Sequence, residues 1–243
     1  MLKKTIRLLR IAWATLVTYT IGNLINVLLE AIVLPLAILE LRPLARAVTW
    51  TWANLFFWLI GKNPRVRGRE YMHKGKKYLI LSNHGSLYDI PAIMILQPEI
   101  SWLAKEYLFK IPLLGQVLRK MNAIPVARQD IWKSRESLQQ AIKRARKNFS
   151  IGIFPEGTRT VTGQMQRFKR GFIFILRHSP LDALPVTING TFQLKPKNRF
   201  FIDPTHPLEI VIHRPLANKE LVKLTDQEIS ERVRSIIAGD YRG

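Results

Sequence analysis

Residues 78–96 read YLILSNHGSLYDIPAIMIL. Tyr78 to Ser82 form a compact apolar run of strand length, and Ile90 to Leu96 read as a helix. Between them the chain carries Asn83, His84, Gly85, Ser86 and Asp89. A histidine sits where an apolar strand ends, and a carboxylate stands five residues on, past a glycine-bearing turn. Histidine is the side chain best poised for proton transfer near neutral pH. A carboxylate folded back onto its far ring nitrogen would fix the tautomer and stabilise the imidazolium, as in the His–Asp half of a triad. On spacing alone the pair also fits a structural histidine beside a carboxylate at a helix N-terminus.

Working outward, the chain alternates short strands with helices. Val66-Arg67-Gly68 reads as a short strand and turn. Ala123–Ala127, Ile151–Phe154 and Leu184–Ile188 read as strands, as do Phe200–Asp203 and Leu208–Ile212. Ser134–Lys147 is an amphipathic basic helix with Leu138, Ile142 and Ala145 on one face, and Gly171–Arg177 is helical. Thr225–Ile237 is a terminal helix that Thr225 caps, with Glu228 completing a capping box. Such alternation predicts an α/β fold with a mixed, largely covered sheet and flanking helices, in one domain over residues 62–243.

Residues 1–61 differ. Lys3, Lys4, Arg7 and Arg10 precede Ile11 to Leu29, which runs without a charge. Pro35 and Pro43 punctuate the next stretch, and Leu44 to Ile60 is apolar and aromatic again. Thr15, Thr18, Gly22, Asn23, Asn26 and Glu30 recur at steps of three and four, a polar stripe on one helix face. A helix bare to lipid all round would not carry that stripe; one packed on a partner or lying in the interface would. Trp13, Trp50, Trp52 and Trp58 suit the headgroup level. The segment is therefore expected to be an N-terminal two-helix hairpin, associated with one leaflet of a membrane. A secretory leader and a soluble helix pair are the competing readings. The basic start predicts that this end stays on the cytoplasmic face; a bacterial inner membrane is the expected location.

The whole chain of 243 residues has 38 basic against 17 acidic residues, a net charge of +21. A field of that sign attracts an anionic membrane surface or nucleic acid. Nucleic acid predicts aromatics interleaved with Lys and Arg, whereas here four of the six tryptophans fall in the apolar N-terminus. There is no cysteine, so a thiol nucleophile is excluded. There is no Gly-x-Ser-x-Gly elbow, and Ser86 reads as a cap rather than a nucleophile. A protein supplying only base and orienter needs a substrate that brings its own hydroxyl. His73, His178, His206 and His213 are scattered without zinc-ligand spacing, so no metal is expected.

A second motif, Phe154-Pro155-Glu156-Gly157-Thr158-Arg159, lies at the end of a strand. Its tight turn offers backbone N–H groups, a hydroxyl and a guanidinium together, which suits a phosphate. Asn83-His84-x4-Asp89 and this motif resemble the first and third signature blocks of the glycerol-phosphate and lysophosphatidic acid acyltransferases. Ala123-Ile124-Pro125-Val126-Ala127-Arg128 is similar to the second block, and Leu184-Pro185-Val186 to the fourth. Phe168-Lys169-Arg170-Gly171 also resembles the family, and the likeness covers roughly 63 to 190. The second block lacks the Gly and Phe-Phe of one common form, so only Arg128 carries over.

The resemblance implies acyl transfer from a thioester, on acyl carrier protein or coenzyme A, to the hydroxyl of lysophosphatidic acid, giving phosphatidic acid. No other cofactor is implied. Glycerol 3-phosphate or another lysophospholipid is the alternative acceptor, and a basic, non-catalytic membrane- or nucleic-acid-binding protein the alternative class. His84 would act as base and Asp89 as its orienter. The backbone of Glu156 and Gly157 would meet the oxyanion. Arg159, Arg128 and Thr158 would hold the phosphate, with Lys105 as a further candidate that equally reads as a solvated lysine.

Overall fold

A computed structural model describes residues 2–97, 99–127 and 131–243, and of residues 131–134 the backbone alone. The N-terminal segment is a helical hairpin. Its first arm is continuous: α1 (Leu2–Val17), a π-helical turn (Thr18–Gly22) and α2 (Asn23–Ile38). The chain reverses at Leu39-Glu40-Leu41, with Glu40 at a positive φ of 56°. The second arm, α3 (Arg42–Trp58), opens with Pro43 in its first turn, where a missing N–H costs nothing. The Trp52 indole N–H donates to Asn26 Oδ1 across the arms at 2.6 Å.

The remainder builds a sheet of seven strands among the described residues. In chain order these are β1 (Arg65–Arg67), β2 (Tyr78–Ser82), then α4 (Asp89–Leu96), β3 (Ile100–Lys105), α5 (Leu114–Lys120) and β4 (Ile124–Val126). They continue with α6 (Ile131–Arg146), β5 (Ser150–Ile153), α7 (Gly171–His178), β6 (Asp182–Asn189), α8 (Thr191–Leu194), β7 (Glu209–Ile212), α9 (Asn218–Leu221) and α10 (Asp226–Gly239). The order across the sheet is β1-β7-β6-β2-β5-β3-β4. Every pairing is parallel except β6 with β7. The expected mixed, covered sheet is therefore present. β2 lies at its centre, buried at all five residues, as a parallel strand covered on both faces must be.

The period-2 alternation of β2 divides its side chains between two layers. Ile80 points into a cluster with Ile93, Ile212 and the hairpin residues Ala14, Ala53, Phe57 and Ile60. Leu79 and Leu81 point into the opposite cluster, with Phe172, Leu176, Val233 and Ile237 of α7 and α10. The hairpin thus supplies part of one core layer. The expected capping box is formed: Thr225 Oγ1 accepts from Glu228 N–H, and Thr225 N–H donates to the Glu228 carboxylate.

The strand expected at Phe200–Asp203 is absent; this stretch is irregular. Its N–H groups go elsewhere instead: Ile202 to Thr15 Oγ1 and Asp203 to the Leu194 carbonyl.

Candidate active site

Asn83 makes the site possible by leaving the sheet in an orderly way. Its side-chain amide pairs with both backbone groups of Ile188 in β6, each at 2.8 Å. A side chain continues the ladder while the main chain peels off, and His84 comes next, at the carboxyl end of β2. The His84 Nδ1 meets Asp89 Oδ2 at 2.8 Å. That oxygen also accepts the N–H groups of Gly85 at 2.7 Å and Ser86 at 2.8 Å. Asp89 is fully buried as the first residue of α4. A carboxylate accepts only, so Nδ1 carries the proton and Nε2 keeps the lone pair. The ring is 12% exposed, enough for one small group to reach it.

The motif at 154–159 grips the same histidine. Phe154 extends β5, the neighbour of β2, and its ring stacks on the imidazole at 3.9 Å between centroids and 8° between planes. Trp102 of β3 stacks on the far side of Phe154 at 5.4 Å. Gly152 makes room for that indole: a Cβ there would lie 2.8 Å from the ring. Glu156 is buried, and its carboxylate accepts His84 N–H at 2.7 Å and Gln166 N–H at 2.9 Å. Burial pushes the Glu156 carboxyl up, against the pull of those two donors. Thr160 N–H donates to the His84 carbonyl at 2.9 Å. Both backbone groups of the histidine and one face of its ring are thus held by a single segment.

This geometry places the Gly157 N–H elsewhere than expected and gives Glu156 a role through its side chain. Gly157 stands at a positive φ of 73°, as the turn requires, but its N–H is given to the Phe154 carbonyl at 2.9 Å. It does not point a free donor at an oxyanion. Glu156 contributes through its carboxylate, as a clamp on His84. Ser86 is also accounted for: its hydroxyl is fully buried and donates to the Lys195 carbonyl at 2.8 Å.

Thr158 and Arg159 are partly exposed on the stretch beyond the turn. Burial depresses the Lys195 ammonium, and the positive charges of Arg159 and Arg199 depress it further. Nothing in the sequence singles out Lys195, which belongs to no motif; only the tertiary fold brings it beside Arg159. Lys105 is exposed at the end of β3, its ammonium 5.5 Å above the Tyr107 ring. Arg128 lies outside the described residues. Among those described, no three His, Asp or Glu side chains are grouped as around a metal ion.

The site is thus an oriented histidine base at the carboxyl end of the central strand of a mixed α/β sheet. Residues 63–189 match the acyltransferase family, and the chain belongs to it. It is 35% identical to a 1-acyl-sn-glycerol-3-phosphate acyltransferase of Borreliella burgdorferi over 187 residues, 76% of this chain and 72% of that one. It is 28% identical to a chloroplast protein of the same name from Brassica napus over 177 residues, 72% of this chain. The chain spans about half the length of the plant relatives it matches: 51% for Brassica napus and 53% for Cocos nucifera. The crystal structure of the 1-acyl-sn-glycerophosphate (LPA) acyltransferase PlsC from Thermotoga maritima superposes with a TM-score of 0.82 at 27% identity. That match covers 95% of this chain and 94% of the other.

Proposed function

We propose that this chain acylates lysophosphatidic acid, taking a fatty acyl group from an acyl thioester and giving phosphatidic acid. The observation that carries the reading is the His84 clamp: a base oriented by a buried carboxylate, with the adjacent serine hydroxyl occupied elsewhere. The acceptor must then bring the nucleophile. His84 Nε2 takes the proton as the acceptor hydroxyl oxygen attacks the thioester carbonyl. The tetrahedral intermediate collapses, the C–S bond breaks, and the leaving thiolate takes the proton back from Nε2. Asp89 holds the tautomer and stabilises the imidazolium between the two transfers. Arg159 holds the acceptor phosphate as a forked donor, with Thr158, Arg128 and Lys105 as its candidate partners.

The donor is a thioester on acyl carrier protein or coenzyme A. A net charge of +21 favours approach of an acidic carrier and of an anionic leaflet alike. The hairpin supports a membrane location. Leu2–Ile38 forms one helix long and apolar enough to cross a bilayer, with a mean hydropathy of 2.0 over its most apolar stretch, of which 11% is buried. We read it as lying in the cytoplasmic leaflet, with the site at headgroup level.

The test compares acceptors. Purified protein with an acyl thioester should convert lysophosphatidic acid to phosphatidic acid, and glycerol 3-phosphate far more slowly. A preference for glycerol 3-phosphate would reassign the acceptor. Arg159→Ala should raise KM for lysophosphatidic acid about tenfold or more, the scale of a charge-assisted hydrogen bond. An unchanged KM removes Arg159 from the phosphate site.

A further inference from the structure

Two adjacent phenylalanines stand outside every strand: Phe200 is 71% exposed and Phe201 43%. They are held in that position by the hairpin. The Tyr19 ring stacks on Phe200 at 4.7 Å and 1°, and the Tyr19 hydroxyl donates to the Phe200 carbonyl at 3.0 Å. Ile202 N–H donates to Thr15 Oγ1 at 2.9 Å, and Arg7 reaches Asp203 at 2.7 Å. Tyr19 itself belongs to the exposed apolar surface of the hairpin, together with Trp13, Leu16 and Ile21. The phenylalanines therefore extend that surface onto the catalytic domain. The Arg199 guanidinium lies 4.6 Å from the Phe201 ring centroid, and Lys197 beside it is exposed. Exposed apolar rings that continue a membrane-facing helical surface, with cations at their margin, suit the headgroup level of an anionic leaflet.

We propose that the Phe200–Phe201 loop is a second membrane-inserting element, entering the headgroup boundary of an anionic leaflet beside the hairpin. It gives the catalytic domain its own hold on lipid. The loop starts at Lys195, whose carbonyl accepts the Ser86 hydroxyl, so the insertion point is tied to the His84 turn. The proposal rests on the reading of the hairpin as membrane-associated.

The chain has no cysteine, so Phe200→Cys gives a single site for a nitroxide label. Ser235→Cys on α10, exposed on the layer opposite the hairpin, gives the aqueous control. On vesicles containing phosphatidylglycerol, collisions of the F200C label with oxygen should rise and those with a water-soluble nickel chelate should fall. The S235C label should change in neither. Phe200→Ser with Phe201→Ser should weaken vesicle partitioning about tenfold or more. A vesicle-bound chain whose F200C label stays open to the nickel chelate overturns the loop while sparing the hairpin. A chain that stays off the vesicles overturns both. Protection of the label without lipid, growing with protein concentration, assigns the surface to a second copy of the chain and overturns the proposal.

Discussion

His84 is fixed at four points by two stretches of chain. Asp89 holds Nδ1, Glu156 and Thr160 hold its backbone groups, and Phe154 lies flat against the ring. Stacking of this kind contributes about 0.5–1.5 kcal/mol beyond burial. Phe154→Leu should therefore lower kcat roughly two- to tenfold with little change in KM, and Phe154→Tyr should retain most of it. An unaltered kcat in the leucine variant would mean that the stack does not position the base. Glu156→Gln replaces an acceptor of two N–H groups by a side chain with one acceptor oxygen. Leaving a buried N–H unpaired costs about 1–3 kcal/mol, which thermal unfolding would read. The His-x4-Asp pair is legible in the sequence. The Phe154 stack and the Glu156 clamp are not, because they depend on β2 and β5 being neighbours in the sheet although some 70 residues separate them. Lys195 is invisible there for the same reason.

At the scale of elements, the hairpin is readable from its polar stripe, and the structure says what the stripe is for. Thr15 accepts from Ile202 N–H, Thr18 meets the Tyr88 hydroxyl at 3.2 Å, and Asn26 accepts from Trp52. The stripe docks α1 and α2 on the catalytic domain and on α3. β3 escapes recognition in the sequence because its residues, Ile100 to Lys105, mix serine, tryptophan and lysine without a clean apolar run. Phe200–Asp203 misleads in the opposite sense, because an apolar pair resembles a strand whether or not an edge exists to receive it. The Arg7–Asp203 pair gives the docking a pH dependence. Burial would raise the Asp203 carboxyl, but hydrogen bonds from Thr205 and Arg7 outweigh it and hold it at about 2, below its ordinary 3.8. A lowered folded pKa stabilises above the unfolded value, and that stability is lost as pH falls through the folded one. The chain should be more stable than Asp203→Asn at neutral pH. The difference should shrink between about pH 4 and pH 2 in thermal melts. A gap independent of pH would show that the ionised carboxylate does not fasten α1.

For the whole molecule, hairpin and sheet share one buried cluster. Ala53, Phe57 and Ile60 are buried in the same cluster as Tyr78, Ile80 and Tyr88. Losing a single buried phenylalanine costs about 3–5 kcal/mol, against a total stability of about 5–15 kcal/mol for a typical domain. Removing residues 2–61 should therefore abolish cooperative unfolding, not release a soluble catalytic domain; a sharp thermal transition in the truncated chain would refute the shared core. The proposed chemistry turns on a substrate hydroxyl activated by His84 with Asp89 behind it. Its most direct test is phosphatidic acid formation from lysophosphatidic acid and an acyl thioester by His84→Ala and by Asp89→Asn, each checked for an unchanged circular dichroism spectrum. A loss of about 10²–10⁴ in kcat is expected for each. Turnover within a few-fold of the unsubstituted chain in either variant would contradict it.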